Sequence, residues 1–306
     1  LNHTGSHKIT NSLFQILLAK RMGKSHLICE SGAGQHYSAT AAVAAKFNMP
    51  LVGVMGDIDV ARVNQNIIKA KHYGAKLKTV PGTLKEAITD AIKTWTTNPE
   101  YAYICGSVVS SSPFPKIVAF AQSIIGREIR EQSISQEGKI PDMICGCVGG
   151  GSNFAGAIYE FLDEPSVTKI GVEAHETAAL TNGTPGIMQG MKTYMLQTDD
   201  GAKSLGGMSL GAGITYFSVG PLHSYLKDQG AVQYSSATDK EMLEAYKIIA
   251  QTEGICSALE PMAAAAEIIF RQAKDKPKDY IICLSLCGRG EKDLDTIQEH
   301  IGKDFE

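Results

Sequence analysis

The chain has 306 residues, 43% hydrophobic and 20% charged, a composition typical of a soluble globular protein long enough for two modest cores or one large core. Its net charge of −3 gives no electrostatic reason to expect nucleic acid or an anionic membrane as a partner. Because we find no signal peptide and no apolar stretch long enough to span a bilayer, we expect a cytoplasmic protein.

The cysteines and histidines show no pattern of a disulfide framework or of a metal site. The seven cysteines include no C-x-x-C pair, and an odd number lying mostly in apolar runs fits a reducing compartment. Cys145 and Cys147 alternate in an apolar strand, so both should point to one face as small hydrophobic side chains. The eight histidines are scattered, without the clustering of metal ligands.

In the first part of the chain, short apolar strands alternate with amphipathic helices. Lys8 begins an apolar-periodic helix that contains Ile9, Leu13, Ile16 and Leu17. The pattern predicts strands at 27–29, 51–55, 76–80 and 102–105 and helices at 39–47, 60–72 and 84–95. The last of these helices opens with the capping box 83–86.

After the Pro113-Phe114-Pro115 break, a long helical run is predicted to about residue 132. Further strands are predicted at 143–148, 169–172, 232–235 and 280–286, and a second capping box, 238–241, opens a helix to about 251. The stretch 182–220 is rich in Gly and Ser with weak periodicity, and it is interpreted as long loops.

This alternation predicts an α/β fold with mostly parallel sheets. We expect two domains, 1–122 and 123–306, each with a sheet flanked by helices and with the smaller one first. Ligands of such sheets bind at the carboxyl ends of the strands.

Two features point to a cofactor that has both a carbonyl and a phosphate. Lys8 follows His7 at a helix start, and a lysine amine forms Schiff bases with carbonyls. A glycine-rich loop follows the apolar strand 143–148 and precedes a helix, and such a loop lets backbone N–H groups converge on phosphate oxygens. The G-x-G-x-x-G spacing of a dinucleotide site is absent from this loop. The loop consists of Gly149, Gly150, Gly151, Ser152 and Asn153.

These segments resemble the tryptophan synthase β chains, a family of pyridoxal-phosphate-dependent enzymes of fold type II. The likeness includes the segment around Lys8, the run 30–36, the glycine loop, 191–194 and 288–290, and it extends in order from Leu1 to about Asp295. The resemblance also implies a sizeable N-terminal segment before Leu1. We therefore expect that Leu1 is not the biological start of the protein.

The resemblance implies a role for each matching residue. Lys8 would be the Schiff-base lysine, and Glu30, at the end of a strand, would be the acid/base that assists loss of the substrate β-hydroxyl. The loop after Glu30 would bind the substrate carboxylate, through Ser31, Gly32, Ala33, Gly34, Gln35 and His36. Further residues would contact pyridoxal 5′-phosphate beside the glycine loop, namely His7, Asn11, Gly106, Ser107, Glu253 and Cys287.

The same resemblance implies partners and an ion. The substrates would be L-serine and indole, condensed to L-tryptophan through an aminoacrylate on the cofactor. A homodimer is expected, with a possible tryptophan synthase α chain in an α2β2 assembly. The carbonyls of Gly149, Tyr216 and Ser218 match positions that hold a monovalent cation, although carbonyl ligation leaves almost no side-chain signature.

Several positions depart from the family pattern, and two of them match residues that contact the cofactor or the substrate in the family. Cys287 stands where the family has a serine facing the pyridine nitrogen, and a thiol is a weaker but still neutral donor. Thr215 stands where the family has an aspartate that contacts the substrate and pairs with an arginine, matched here by Arg62.

The resulting interpretation is a pyridoxal-phosphate lyase of the tryptophan synthase β type. The departures leave open a divergent β-replacement enzyme or a serine/threonine deaminase. A catalytically silent paralogue that regulates an α-type partner is a third alternative, disfavoured because Lys8, Glu30 and the glycine loop are all intact.

Overall fold

Two four-stranded parallel sheets, one in each half of the chain, form the framework of this computed structural model, which describes residues 2–61, 63–201 and 203–305. The chain divides into two compact units, a first unit, Leu1–Ser107, and a second unit, Val108–Glu306. The expected boundary at 122/123 lies inside the second unit, because the helix Phe114–Gln122 packs against helices of that unit.

The sheet of the first unit has the strand order β3-β2-β1-β4, and all its strands are parallel. Its strands are β1 (His26–Glu30), β2 (Leu51–Gly56), β3 (Lys76–Val80) and β4 (Tyr101–Tyr103). In the described part of this unit, the α-helices are α1 (Lys8–Arg21), α2 (Gln35–Lys46), α3 (Asp57–Val60), α4 (Asn64–His72) and α5 (Leu84–Thr97). The capping box predicted at the start of α5 is present.

Helix α1 begins at Lys8 as predicted, but the side that it buries is largely polar. Leu13 and Leu17 are exposed, whereas Asn11, Ser12 and Gln15 are buried. The apolar periodicity therefore identified the helix without identifying its inward face, because hydrogen bonds to the end of β4 hold the polar side.

The sheet of the second unit has the order β10-β5-β6-β9 and is also parallel. Its strands are β5 (Met143–Cys147), β6 (Thr168–Ala174), β9 (Gln233–Ala237) and β10 (Ile282–Leu284), and a separate hairpin has β7 (Thr184–Met188) and β8 (Met191–Met195). The described helices of this unit are α6 (Phe114–Gln122), α7 (Ile124–Glu137), α8 (Ser152–Ile158), α9 (Ala179–Asn182), α10 (Pro221–Asp228), α11 (Asp239–Glu253), α12 (Met262–Glu267) and α13 (Leu294–Ile301).

The expectation of long loops over 182–220 is wrong for its first part. The strands β7 and β8 pair antiparallel, and Gln189 and Gly190 join them with positive φ angles of 50° and 78°. Two consecutive positive φ angles are typical of the tight turns that close hairpins. A Gln-Gly pair lacks the Asn-Gly or Asp-Gly signature that would have predicted such a turn.

The carboxyl ends of two adjacent strands in each sheet carry most of the candidate residues. In the first unit, β1 ends at Glu30, and β4 is followed by Gly106 and Ser107. In the second unit, β5 leads into the glycine loop, and β10 leads towards Cys287. The fold class predicted from the sequence is confirmed. Among the described residues, no helix has both the length and the apolar character needed to cross a membrane.

Candidate active site

The main chain of Gly106 joins the two candidate catalytic side chains of the first unit. Its N–H donates to Glu30 Oε1 at 3.0 Å, and its carbonyl accepts from Lys8 Nζ. A Cβ atom at this position would lie 2.8 Å from His36 Cδ2 and 3.1 Å from Glu30 Oε1, so only glycine fits without displacement. A single residue after β4 therefore positions both the amine and the carboxyl.

The buried Glu30 carboxyl titrates near neutral pH. It is 3% exposed, and burial raises its pKa to about 7, while hydrogen bonds from the Tyr103 hydroxyl and the Gly106 N–H act in the opposite direction. A carboxyl that titrates near neutral pH has both forms populated there, so it can give and accept a proton during one reaction cycle.

Two histidines beside Lys8 are neutral. Burial and the charge of Lys8 lower the pKa of His36 to about 3, and they also lower the pKa of His7 well below its usual value. His36 Nε2 lies 2.7 Å from the carbonyl of Ile104, so this nitrogen carries the hydrogen and donates it. The histidines therefore add no positive charge near the amine.

The predicted substrate-carboxylate loop lies at the N-terminus of α2. Gly34 has a φ of 73°, and a Cβ there would lie 2.8 Å from the Asn66 side chain, which donates to the carbonyl of Ala33. The first amide to close a helical bond is that of Ser38, which donates to Gly34, so the preceding amides of the turn have no partner within the helix. Such an N-terminus favours an anion, here a carboxylate.

Two of the predicted cofactor residues in the first unit differ in what they offer. The Asn11 side chain is engaged within the unit, because its Nδ2 donates to the Cys105 carbonyl and its Oδ1 accepts from Gln15. Asn11 therefore braces the end of β4. By contrast, the Ser107 Oγ is buried without a hydrogen-bond partner among the described residues, which leaves a hydroxyl for a ligand.

The glycine loop of the second unit depends on the absence of side chains. A Cβ at Gly149 would lie 2.8 Å from Ile214 Cα, and one at Gly151, where φ is 77°, would lie 2.2 Å from His223 Nε2. Residues 211–214 and α10 therefore pack directly against the glycine loop. Gly150 is half-buried, and the loop leads directly into α8 at Ser152.

His223 holds this loop in place and was not identified from the sequence. Its Nε2 donates to the Gly151 carbonyl at 3.0 Å, and its Nδ1 accepts from the Tyr234 hydroxyl at 2.9 Å. Burial lowers its pKa to about 4, so the ring is neutral at physiological pH. A lone histidine in an amphipathic helix has no sequence signal that distinguishes it from an ordinary core residue.

The side chain of Asn153 also braces the loop. Its Nδ2 donates to the Cys147 carbonyl at 3.0 Å, and its Oδ1 accepts from Ser285 at 3.4 Å. Cys287 is half-buried, and its Sγ lies 3.7 Å from Cys147 Sγ. The interpretation of Cys287 as a residue near the cofactor nitrogen stays a prediction.

Thr215 uses its hydroxyl inside its own loop. The Oγ1 donates to the Gly211 carbonyl at 3.1 Å, and Thr177 donates to the carbonyl of Ile214 at 2.8 Å. The matching Arg62 lies outside the described residues. The structure therefore shows how Thr215 is held but does not test its pairing with the arginine.

A buried charged network anchors the same loop and was also missed from the sequence. Glu260 accepts from the Gly213 N–H at 2.7 Å and from Lys292 Nζ at 2.8 Å, and Lys292 also contacts Asp293 at 2.6 Å. Glu253, which the family resemblance favoured, lies at the exposed C-terminal end of α11. Its contact with the cofactor ring stays a prediction, whereas Glu260 and Asp293 are both buried.

The predicted cation ligands lie in the second unit. The Tyr216 hydroxyl donates to Gln189 at 3.3 Å, and the Ser218 Oγ donates to Thr193 at 3.3 Å, so both side chains bond elsewhere. Any ligation would use their carbonyls, as would that of Gly149, and it stays a prediction. Among the described residues, no cluster of His, Cys, Asp and Glu side chains is suited to a metal ion.

Comparison with known proteins identifies the relatives of this chain. The family model described as pyridoxal-phosphate dependent enzyme matches residues 1–288. The tryptophan synthase beta chain of Dinoroseobacter shibae is 46% identical over 318 residues, covering 100% of this chain and 77% of that protein. The tryptophan synthase beta chain of Allorhizobium ampelinum is 48% identical over 314 residues, covering 99% of this chain and 77% of that protein.

Among solved structures, O-ureido-L-serine synthase matches with a TM-score of 0.76 at 19% identity, covering 98% of this chain and 85% of that one. A lysine-to-alanine mutant of the same synthase, with O-ureido-L-serine bound, matches with a TM-score of 0.73, also at 19% identity, covering 98% of this chain and 84% of that one. These two likenesses concern the fold.

The described residues fit pyridoxal phosphate. The first unit has an amine beside neutral histidines and an unpartnered Ser107 hydroxyl. The second unit has a glycine loop that a single methyl group at Gly151 would disrupt. The first set suits an aldehyde and its ring, and the second suits a phosphate.

Proposed function

The chain belongs to the pyridoxal-phosphate-dependent enzymes and, among them, to the tryptophan synthase β chains, and we propose that it condenses L-serine with indole to give L-tryptophan. The observation that carries this proposal is the main chain of Gly106, which hydrogen-bonds Glu30 through its N–H and Lys8 through its carbonyl. β-Replacement on serine requires a base for the α-proton and an acid for the departing hydroxyl, and these two groups provide them.

Lys8 Nζ would hold the cofactor at its aldehyde carbon, and the same amine is assigned to take the α-proton of serine. When bound, pyridoxal phosphate supplies the electron sink that makes this α-proton acidic. His7 and His36 are neutral, so neither competes with the amine for a negatively charged substrate.

Glu30 is assigned to protonate the departing β-hydroxyl of serine. Hydroxide is a poor leaving group, and a carboxyl with a pKa of about 7 is protonated often enough near neutral pH to release water instead. The resulting carboxylate can then accept the proton that indole loses when its carbon attacks the substrate β-carbon.

The remaining roles concern binding. We assign the serine carboxylate to the turn 31–36 at the N-terminus of α2, where backbone N–H groups and the helix dipole favour an anion. The cofactor phosphate is assigned to the loop 149–153, whose conformation is stabilised by hydrogen bonds from the side chains of His223 and Asn153. The Ser107 hydroxyl is assigned to the cofactor.

A homodimer and an association with a tryptophan synthase α chain form part of the proposal. The support is the name of the relatives, which describes each of them as the beta chain of the enzyme. Sedimentation velocity of the protein alone and with an added α chain measures both. A monomer that gains no mass with the α chain would contradict this part.

The proposed reaction is tested by incubating the protein and pyridoxal phosphate with L-serine and indole, then quantifying L-tryptophan and pyruvate by chromatography. Tryptophan as the main product supports the proposal. Pyruvate without tryptophan, or 2-oxobutyrate from L-threonine, would instead identify a deaminase. A cofactor-loaded protein that makes neither would be a catalytically silent paralogue.

A further inference from the structure

Two thiols lie close together where adjacent strands of the second unit end. Cys147 Sγ and Cys287 Sγ are 3.7 Å apart. Cys147 is the last residue of β5, and Cys287 follows β10, the strand that pairs with β5 in parallel register. At this separation the two sulfurs are in van der Waals contact.

The arrangement of the other cysteines makes this pair specific. Cys145 and Cys147 both contribute to the apolar cluster on one face of the sheet, and Cys287 packs against the same cluster. Cys283 packs against the cluster on the opposite face. Cys256 is exposed, and its Sγ belongs to neither cluster.

We propose that Cys147 and Cys287 form a reversible disulfide, which makes this pair an oxidation site at the end of the cofactor-binding strands. The co-reactant is a low-molecular-weight disulfide, such as oxidised glutathione. The Cys287 thiolate attacks one sulfur of that reagent, forms a mixed disulfide and releases one thiolate. Cys147 then attacks the Cys287 sulfur and releases the second. Two protein thiols are oxidised, and one reagent disulfide is reduced to two thiols.

The different burial of the two thiols determines the order of these steps. Cys287 is half-buried and can meet a reagent from solvent, whereas Cys147 is 1% exposed. The hydrogen bond with Cys287 and burial raise the pKa of Cys147 well above its usual value, and the hydrogen bond from Asn153 Nδ2 to Cys147 Sγ, at 3.6 Å, acts in the opposite direction. Cys147 therefore attacks only after Cys287 has been activated as a mixed disulfide, and it gives up its proton in that step. Closing the bond needs only a rotation of side chains that already touch, because the sulfurs must move from 3.7 Å to about 2.05 Å apart.

The consequence for the cofactor rests on the proposed function, in which Cys287 lies against the pyridine ring. A bound cofactor would then cover Cys287 and slow its oxidation.

The experiment treats the apoprotein with oxidised glutathione, quenches samples with acid, alkylates the free thiols and maps non-reduced peptides by mass spectrometry. The expected product is a peptide pair linked through Cys147 and Cys287, reversed by dithiothreitol. Cys256→Ser is the matched control, because it removes an exposed thiol and should leave the linked pair unchanged. Cys287→Ser should lose the pair, and wild-type mapping decides the question if that variant does not fold.

Glutathione that stays on Cys287 without an internal link, or a link between other cysteines, would overturn the disulfide. Repeating the reaction with pyridoxal phosphate at 100 times its dissociation constant should slow oxidation by about 100-fold, because about one site in a hundred is then free. If the linked pair forms equally fast with the cofactor, the disulfide stands, and the place of Cys287 against the ring is refuted.

Discussion

The two units of this protein differ in the kind of group that each offers to a ligand. The first unit presents titratable side chains, since Lys8 and Glu30 are both hydrogen-bonded to the main chain of Gly106 and lie beside neutral histidines. The second unit presents backbone, since its glycine loop works by lacking side chains and is held by a neutral His223. Reactions at the residues of the first unit should therefore depend on protonation, and ligand binding by the second unit should depend on the shape of its backbone. Substitutions in each unit test this difference.

The largest effect is expected at Lys8. Lys8→Ala should reduce tryptophan formation by roughly 10⁴-fold or more, because it removes both the covalent anchor and the proposed base. Lys8→Arg is the matched control, since it keeps the positive charge but cannot hold an aldehyde carbon. Borohydride reduction of the wild type, followed by peptide mapping, should leave the pyridoxyl group on the Lys8 peptide. A label on a different lysine would contradict the assignment.

The next prediction compares Glu30, a proposed catalytic carboxyl, with Glu173, a buried carboxyl that has no proposed role in catalysis. Burial raises the pKa of Glu30 and of Glu173 alike to about 7, but Glu173 lies in the second unit and accepts hydrogen bonds from Leu180 and Thr181. Glu30→Gln should lower turnover by about 10²- to 10⁴-fold, while Glu173→Gln should mainly lower stability. Steady-state rates and thermal unfolding of both variants measure this difference. Equal losses of turnover would remove Glu30 from the mechanism.

The raised pKa of Glu30 also predicts a pH dependence of stability. The folded state holds the proton up to a pH of about 7 and the unfolded state only up to about 4.5, so the free energy of unfolding should fall between those values as the pH rises. The loss attributable to Glu30 is at most about 3 kcal/mol. Denaturant titrations of the apoprotein and of Glu30→Gln across this window should show a smaller fall in the variant. Parallel curves would mean that Glu30 is not held neutral.

Two glycines of the second unit separate the effect of a side-chain clash from the effect of a strained backbone. Gly151 and Gly138 have φ angles of 77° and 74°, but a Cβ at Gly151 would meet His223 at 2.2 Å, whereas one at Gly138 meets nothing within 4 Å. Both alanine variants should lose about 1 kcal/mol or more of stability from the positive φ. Only Gly151→Ala should also weaken cofactor binding, by about tenfold or more, in a fluorescence titration. Equal affinities in the two variants would argue against a phosphate site in this loop.

The smallest expected effect is at Thr215, whose hydroxyl bonds within its own loop. Thr215→Asp should lower the ratio of pyruvate to tryptophan by about two- to tenfold, because a carboxylate can pair with Arg62 and a hydroxyl cannot. Thr215→Val is the control, since it removes the hydroxyl without adding charge. An unchanged ratio in Thr215→Asp would show that this position has no specific role in protecting the intermediate from water.

Several features of the tertiary structure contradicted the predictions from local sequence patterns or were not predicted by them. The hairpin of β7 and β8 was interpreted as loop because a Gln-Gly turn carries little sequence signal. The roles of His223 and of the Glu260–Lys292 contact were missed because each joins elements that are distant along the chain. The proximity of Cys147 and Cys287 depends on the pairing of β5 with β10, 140 residues later.

The alternation of strands and helices, the parallel α/β class and the capping box of α5 were predictable from the sequence, as were the candidate residues Lys8, Glu30 and 149–153. These features follow from residue type and short spacing, which are readable locally. The burial of polar atoms, by contrast, depends on the tertiary structure, and burial is what raises the pKa of Glu30 and lowers that of His36. Desolvation depends on everything packed around a group, so no local pattern of residues can specify it.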